Sequence, residues 1–118
     1  MIVEEALRRQ QIFRNLDRNL RSIQKAAERM DPAAQVYVFG SLAEGRHTYA
    51  SDIDVLIVTC VAPARVHAAL WRAGIKDPFE LHVQPPERLG LYRRKGRLVK
   101  VGRLSTQSSV GSPPARRR

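Results

Sequence analysis

Two carboxylates, Asp52 and Asp54, stand two residues apart at the head of the apolar run DIDVLIVTC. Successive side chains of a β-strand point to opposite faces, so both acids project from one face while Ile53 turns to the other. Left alone at the edge of a core, such a pair repels and loses solvation. A divalent cation resolves both problems, and hard oxygen ligands with open positions suit Mg²⁺ or Mn²⁺ holding a phosphate. Upstream, Gly40-Ser41 follows the run QVYVF, and ten residues separate Ser41 from Asp52. A dipeptide that leaves a strand and opens a short helix turns backbone N–H groups, a hydroxyl and the positive helix end toward a polyphosphate. Glycine lets the backbone approach the phosphates with no Cβ in the way. Taken singly, Asp-x-Asp is also a pair of solvated acids opening a strand, and Gly-Ser is also a capped turn. The information lies in their combination: strand, Gly-Ser, ten residues, then Asp-x-Asp on the next strand.

The elements that must position these groups follow from hydrophobic spacing. From Ile2 to Met30, apolar residues recur at mostly three- and four-residue steps between Arg, Gln and Glu, which predicts one long amphipathic helix over 2–30. Asp31-Pro32 ends it, because proline disfavours helical backbone at the residue before it. Gln35 to Phe39 is short, β-branched and aromatic and predicts a strand; a short helix is expected to open at Ser41. Asp52 to Cys60 predicts a second strand, apolar on both faces after its first three residues and therefore central in a sheet. Pro63 and ARVHAALWRA predict a helix closed by Gly74, with His67 and Trp71 on a packed face. FELHVQ, residues 79–84, predicts a third strand, with His82 structural, and Pro85-Pro86 leads into a short helix, ERLGLYRRK. Helices alternating with strands imply an α/β domain, a small mixed β-sheet flanked by helices.

The chain has 118 residues, 43% hydrophobic and 27% charged, which suits one domain, assigned to residues 1–102. Residues 103–118 are Ser, Gly, Pro and Arg rich with little to bury, and are expected to form a disordered basic tail. No stretch approaches the roughly 18 consecutive apolar residues of a membrane span, and Glu4, Glu5, Arg8 and Arg9 stand where a signal peptide is apolar, so a cytoplasmic protein is the default. A single cysteine, Cys60, excludes an intramolecular disulfide and a multi-cysteine zinc site; at the end of VLIVTC it is expected to be a buried small hydrophobe. The formal net charge of +10 favours a polyanionic partner such as a nucleotide or nucleic acid. All charged residues from Arg88 onward are basic, so part of this excess belongs to the tail, which offers phosphate contacts to RNA or DNA. No aromatic follows Tyr92 to stack bases, which favours a solvated extension.

The segment VFGSLAEGRHTYASDIDVLIV resembles the signature of the DNA polymerase β-like nucleotidyltransferase superfamily, and the small size resembles its minimal, MntA-type branch. The specific likeness covers about 20 residues, and the order of elements extends a weaker one from Ile23 to Val101. The resemblance implies the nucleotidyltransferase fold and a third carboxylate on a later strand, for which Glu80 in PFELHV is the candidate. It implies two metal ions, Mg²⁺ or Mn²⁺, held by Asp52, Asp54 and Glu80, and a triphosphate held at Gly40 and Ser41. Many relatives carry Arg directly after Gly-Ser; Leu42 stands there here, which leaves a phosphate contact to Arg46 or His47 in the loop. The implied reaction is in-line displacement at the α-phosphorus of ATP, with Glu80 completing the metal site and helping deprotonate the acceptor hydroxyl. In relatives of this size the acceptor is a protein, and the resemblance implies an antitoxin that adenylylates a small helical HEPN-type (HepT) ribonuclease. Transfer to a small molecule is an alternative, although such relatives usually carry an added helical domain. A non-catalytic module binding nucleic acid or protein is another, opposed by three acids retained in a basic chain.

Overall fold

The computed structural model describes residues 2–102. The expected disordered tail, 103–118, lies outside the described residues, and with it Arg103 and Arg116 to Arg118. The stretch expected to be one helix over 2–30 is two: α1 (Ile2–Arg14) and α2 (Leu16–Met30), joined at Asn15. Asn15 sits at φ −106°, ψ 30°, its side-chain amide donating to the Gln11 carbonyl at 3.1 Å. Asn19 likewise donates to the Ile12 carbonyl at 3.3 Å. Polar side chains that bond the carbonyls of a preceding turn are a recognised cause of helix bends, and period alone does not reveal them. α2 buries Leu20, Ile23, Ala26 and Ala27, one stripe at helical spacing.

The strands β1 (Gln35–Phe39), β2 (Ile53–Val58), β3 (Phe79–Gln84) and β4 (Val99–Lys100) form one sheet in the order β3-β2-β1-β4. β1 and β2 are antiparallel, joined through the short helix α3 (Gly40–Ala43) and the loop behind it. β2 and β3 are parallel, which requires a crossover, supplied by α4 (Pro63–Arg72). A 3₁₀ turn (Pro86–Arg88) and α5 (Leu89–Lys95) lead to β4, antiparallel to β1. The sheet is mixed and flanked by helices, as expected, with β2 between two neighbours. β4 was not expected: two residues in a polar, basic stretch carry no strand pattern.

Alternation splits the strands cleanly. Val36, Val38, Ile53, Val55, Ile57 and Val83 face α2 and α4 in the main core. Tyr37, Leu56 and Val58 face the other way, under Phe39, Leu89, Tyr92 and Leu98. β2 ends at Val58, two residues before the expected end, and Cys60 is exposed rather than buried. Thr59 is the last buried residue before α4; it donates to the Asp31 carboxylate at 2.6 Å, and the chain then turns outward. His67 and Trp71 are also exposed, Trp71 at 62%, against the expectation of a packed face. The buried stripe of α4 is Val66 and Leu70; each expected residue lies one position further, about 100° around the helix. Lys76 covers the Trp71 ring, its Nζ 4.5 Å from the centroid. Among the described residues no helix is long and apolar enough to cross a membrane.

Candidate functional site

Because β1 runs against β2 while β3 runs with it, the end of β1 and the beginnings of β2 and β3 meet at one edge of the sheet. In that register Phe39 pairs with Asp54, and Asp54 with Glu80. Adjacent strands lie about 4.8 Å apart, so the two acids stand side by side on one face. His82, two residues beyond Glu80, adds a third group to that face. Atoms offered by Asp54, Glu80 and His82 all lie within 4.8 Å of one another. His82 Nε2 is 3.5 Å from Asp54 Oδ1 and 4.0 Å from Glu80 Oε1. It is buried, yet no hydrogen bond satisfies it. The ring is held edge-on to Phe39, with centroids 4.9 Å apart, and Phe39 meets Tyr92 in the same manner at 5.4 Å.

The carboxylates are strained by proximity. A hydrogen bond with Asp54, then its charge, raise the pKa of Glu80 above the ordinary glutamate value. Gly40 closes the other side. It has φ +74°, left-handed backbone that glycine adopts freely, and a Cβ there would collide with the Asp54 carboxylate. α3 begins at Gly40, one residue earlier than expected. The Ser41 carbonyl accepts the Arg46 N–H at 2.8 Å, folding the loop back over the short helix.

The expected residues therefore divide. Asp54 and Glu80 come together, with Gly40 against Asp54 and Ser41 next to it. Asp52 lies just before β2, 60% exposed, with Oδ1 3.6 Å from Arg9 Nη2, and it does not join the closest group. Arg46 and His47 lie in the exposed loop, with His47 stacked on Phe13 at 5.5 Å. His82, expected to be structural, stands among the acids. The alternation of FELHVQ places it on the Glu80 face, which is the signal that could have found it.

Two carboxylates in register, an orphaned imidazole nitrogen and a neighbouring backbone with no Cβ fit a divalent cation. Carboxylate oxygens suit Mg²⁺ or Mn²⁺, and the imidazole adds a nitrogen donor that softer ions accept more readily. Held there, a cation would remove the repulsion that raises Glu80 and satisfy His82.

A family model described as "nucleotidyltransferase domain" matches residues 20–100. Among solved structures, one described as a candidate nucleotidyltransferase is 24% identical, covering 70% of this chain and 96% of its own, with a TM-score of 0.57. Another candidate nucleotidyltransferase, from Sulfolobus solfataricus, is 19% identical, covering 83% of each chain, with a TM-score of 0.52. At these identities the likeness is one of fold. A comparison with curated proteins found no match.

Proposed function

Since the chain belongs to the nucleotidyltransferase domain family, we propose that it transfers AMP from ATP to a hydroxyl of a protein acceptor, with Mg²⁺ or Mn²⁺ at the acidic edge of the sheet. The observation that carries this reading is the register pair Asp54 and Glu80, with His82 beside it and Gly40 flush against it. Asp54 and Glu80 would hold the cation, with Asp52 as a further carboxylate and His82 Nε2 as a further donor. The bound cation would supply charge neutralisation for the triphosphate and acidity for the incoming hydroxyl. Gly40 and Ser41 admit the phosphates closely, and Arg46 is the candidate for the contact that Leu42 cannot make. Glu80, its side chain 59% exposed at the rim, is placed to receive the hydroxyl proton. As the hydroxyl oxygen bonds the α-phosphorus, the bond to the bridging oxygen breaks and pyrophosphate leaves.

A protein acceptor suits the openness of the site. Side chains of Asp52 and Glu80 are 60% and 59% exposed, so a hydroxyl presented by a macromolecule can reach them. A small helical HEPN-type protein is the proposed acceptor, which would make the chain a cytoplasmic antitoxin. The test is incubation of the full chain with labelled ATP, Mg²⁺ and a lysate of its own cell. Label should appear on a small protein, at a hydroxyl side chain. Label confined to RNA or to a small molecule would sink the protein-acceptor reading.

A further inference from the structure

We propose that α1, which precedes the region matched by the family model, is a positioning element of the site, and that Arg9 is the residue through which it acts on Asp52. Of the described α1 side chains, Ile12 and Phe13 pack against the main core while Leu7 is 56% exposed, so apolar burial is confined to the last turn of the helix. Its grip is concentrated on the loop that carries Asp52. The Arg9 side chain is only 19% exposed. Its Nη1 donates to the carbonyls of Tyr49 and Ser51 at 3.1 and 3.0 Å, while Nη2 lies 3.6 Å from Asp52 Oδ1. One guanidinium thus spans two loop carbonyls and the carboxylate, a task for its planar fork that a point charge cannot perform. One turn on, Phe13 stacks on His47 and leans on Tyr49, with centroids 5.5 and 5.4 Å apart. Arg8 adds a contact to the second strand of the site, donating to the Asp77 carbonyl at 3.0 Å, two residues before β3.

The guanidinium meets Asp52 at Oδ1, and the Asp52 side chain stays 60% exposed. Groups that orient a ligating carboxylate from behind typically sustain metal affinity about 10- to 100-fold. The sign of the effect separates positioning from simple electrostatics. A positive charge beside a cation site opposes binding, so its removal alone would tighten the site. Positioning requires the opposite.

The proposal rests on Asp52 serving the metal as read above, and Mn²⁺ binding to the full chain, followed by electron paramagnetic resonance, tests both parts separately. Arg9→Ala should weaken Mn²⁺ binding by about 10- to 100-fold, and Arg9→Lys, which keeps the charge, should recover little of the loss. In an Asp52→Asn background Arg9→Ala should cost almost nothing more, since the effect passes through Asp52. Amide exchange at Ser51, whose N–H bonds the Thr48 carbonyl, should quicken in Arg9→Ala while exchange along β1 stays slow, showing that the domain remains folded. Unchanged or tighter Mn²⁺ binding in Arg9→Ala, full recovery by Arg9→Lys, or an equal loss with and without Asp52 would each overturn the proposal. Native-like Mn²⁺ affinity in Asp52→Asn alone would instead overturn the reading of Asp52 as a ligand, and the proposal with it.

Discussion

The two faces of β2 carry the same kind of backbone and do opposite work. On one, Ile53, Val55 and Ile57 are fully buried beneath α2 and α4, and apolar contact runs the whole length of the strand. On the other, Leu56 and Val58 are buried beneath Phe39, Leu89, Tyr92 and Leu98, but the cover stops short of the strand's beginning. α5, with seven residues, is too short to close that face. Asp54, Glu80 and His82 stand at the uncovered rim, rigidly held by a buried sheet yet open to solvent and substrate. A period of two lets one strand anchor the core and present chemistry, provided that one cover is shorter than the other.

The comparison predicts that changes on the open rim cost activity and changes on the closed face cost stability. The largest effect is expected at the acids. Asp54→Asn should weaken Mg²⁺-dependent ATP binding and abolish transfer, whereas Glu80→Gln should keep ATP binding while transfer falls about 10²- to 10⁴-fold. ATP affinity and AMP transfer, measured on variants confirmed to be folded, decide the matter; a Glu80→Gln enzyme at the native rate would reduce Glu80 to a surface acid. On the closed face, Ile57→Ala should cost about 2–5 kcal/mol in urea denaturation, since it leaves a cavity in the main core. A loss as small as that of a surface change would mean that this face is not close-packed.

Gly40→Ala tests the boundary between the two regimes. Left-handed backbone alone should cost about 1–2 kcal/mol, and the new Cβ must displace the Asp54 carboxylate. Metal-dependent ATP binding should therefore fall further than stability does; retention of full ATP affinity would show that Asp54 is free to move. The smallest expected effect is in pH dependence. Asp54 raises the Glu80 pKa in the folded protein, so folding favours the protonated form. That contribution is fully present below the unfolded pKa and is lost as pH rises through the folded one. Without metal, the melting temperature of the native chain relative to Glu80→Gln should thus decline from acid to neutral pH, modestly because Glu80 is exposed. A difference that does not vary with pH would mean that the two carboxyls do not sense each other.

Much of this architecture was legible because it depends on local spacing. The alternation of FELHVQ located β3 to the residue and put Glu80 on a polar face. Asp31-Pro32 marked the end of α2, and the apolar run after Asp54 identified β2 as central. Features set by side chains meeting across the chain were not legible. The bend at Asn15 depends on amides reaching back to carbonyls of α1, Asn15 to Gln11 and Asn19 to Ile12. The exposure of Trp71 and Cys60 depends on where the sheet lies beneath α4 and where β2 ends.

By itself the sequence determined the residue types, the gap between Gly40-Ser41 and Asp-x-Asp, and the alternation that turns Asp54 away from Ile53 and Val55. These follow from a backbone repeat that needs no partner. The register of β2 with β3 was decided only in three dimensions, by pairing across the α4 crossover. It set Asp54 beside Glu80, brought His82 into the group, and left Asp52 to Arg9, because a ligand set is a matter of distances between strands rather than of spacing along one.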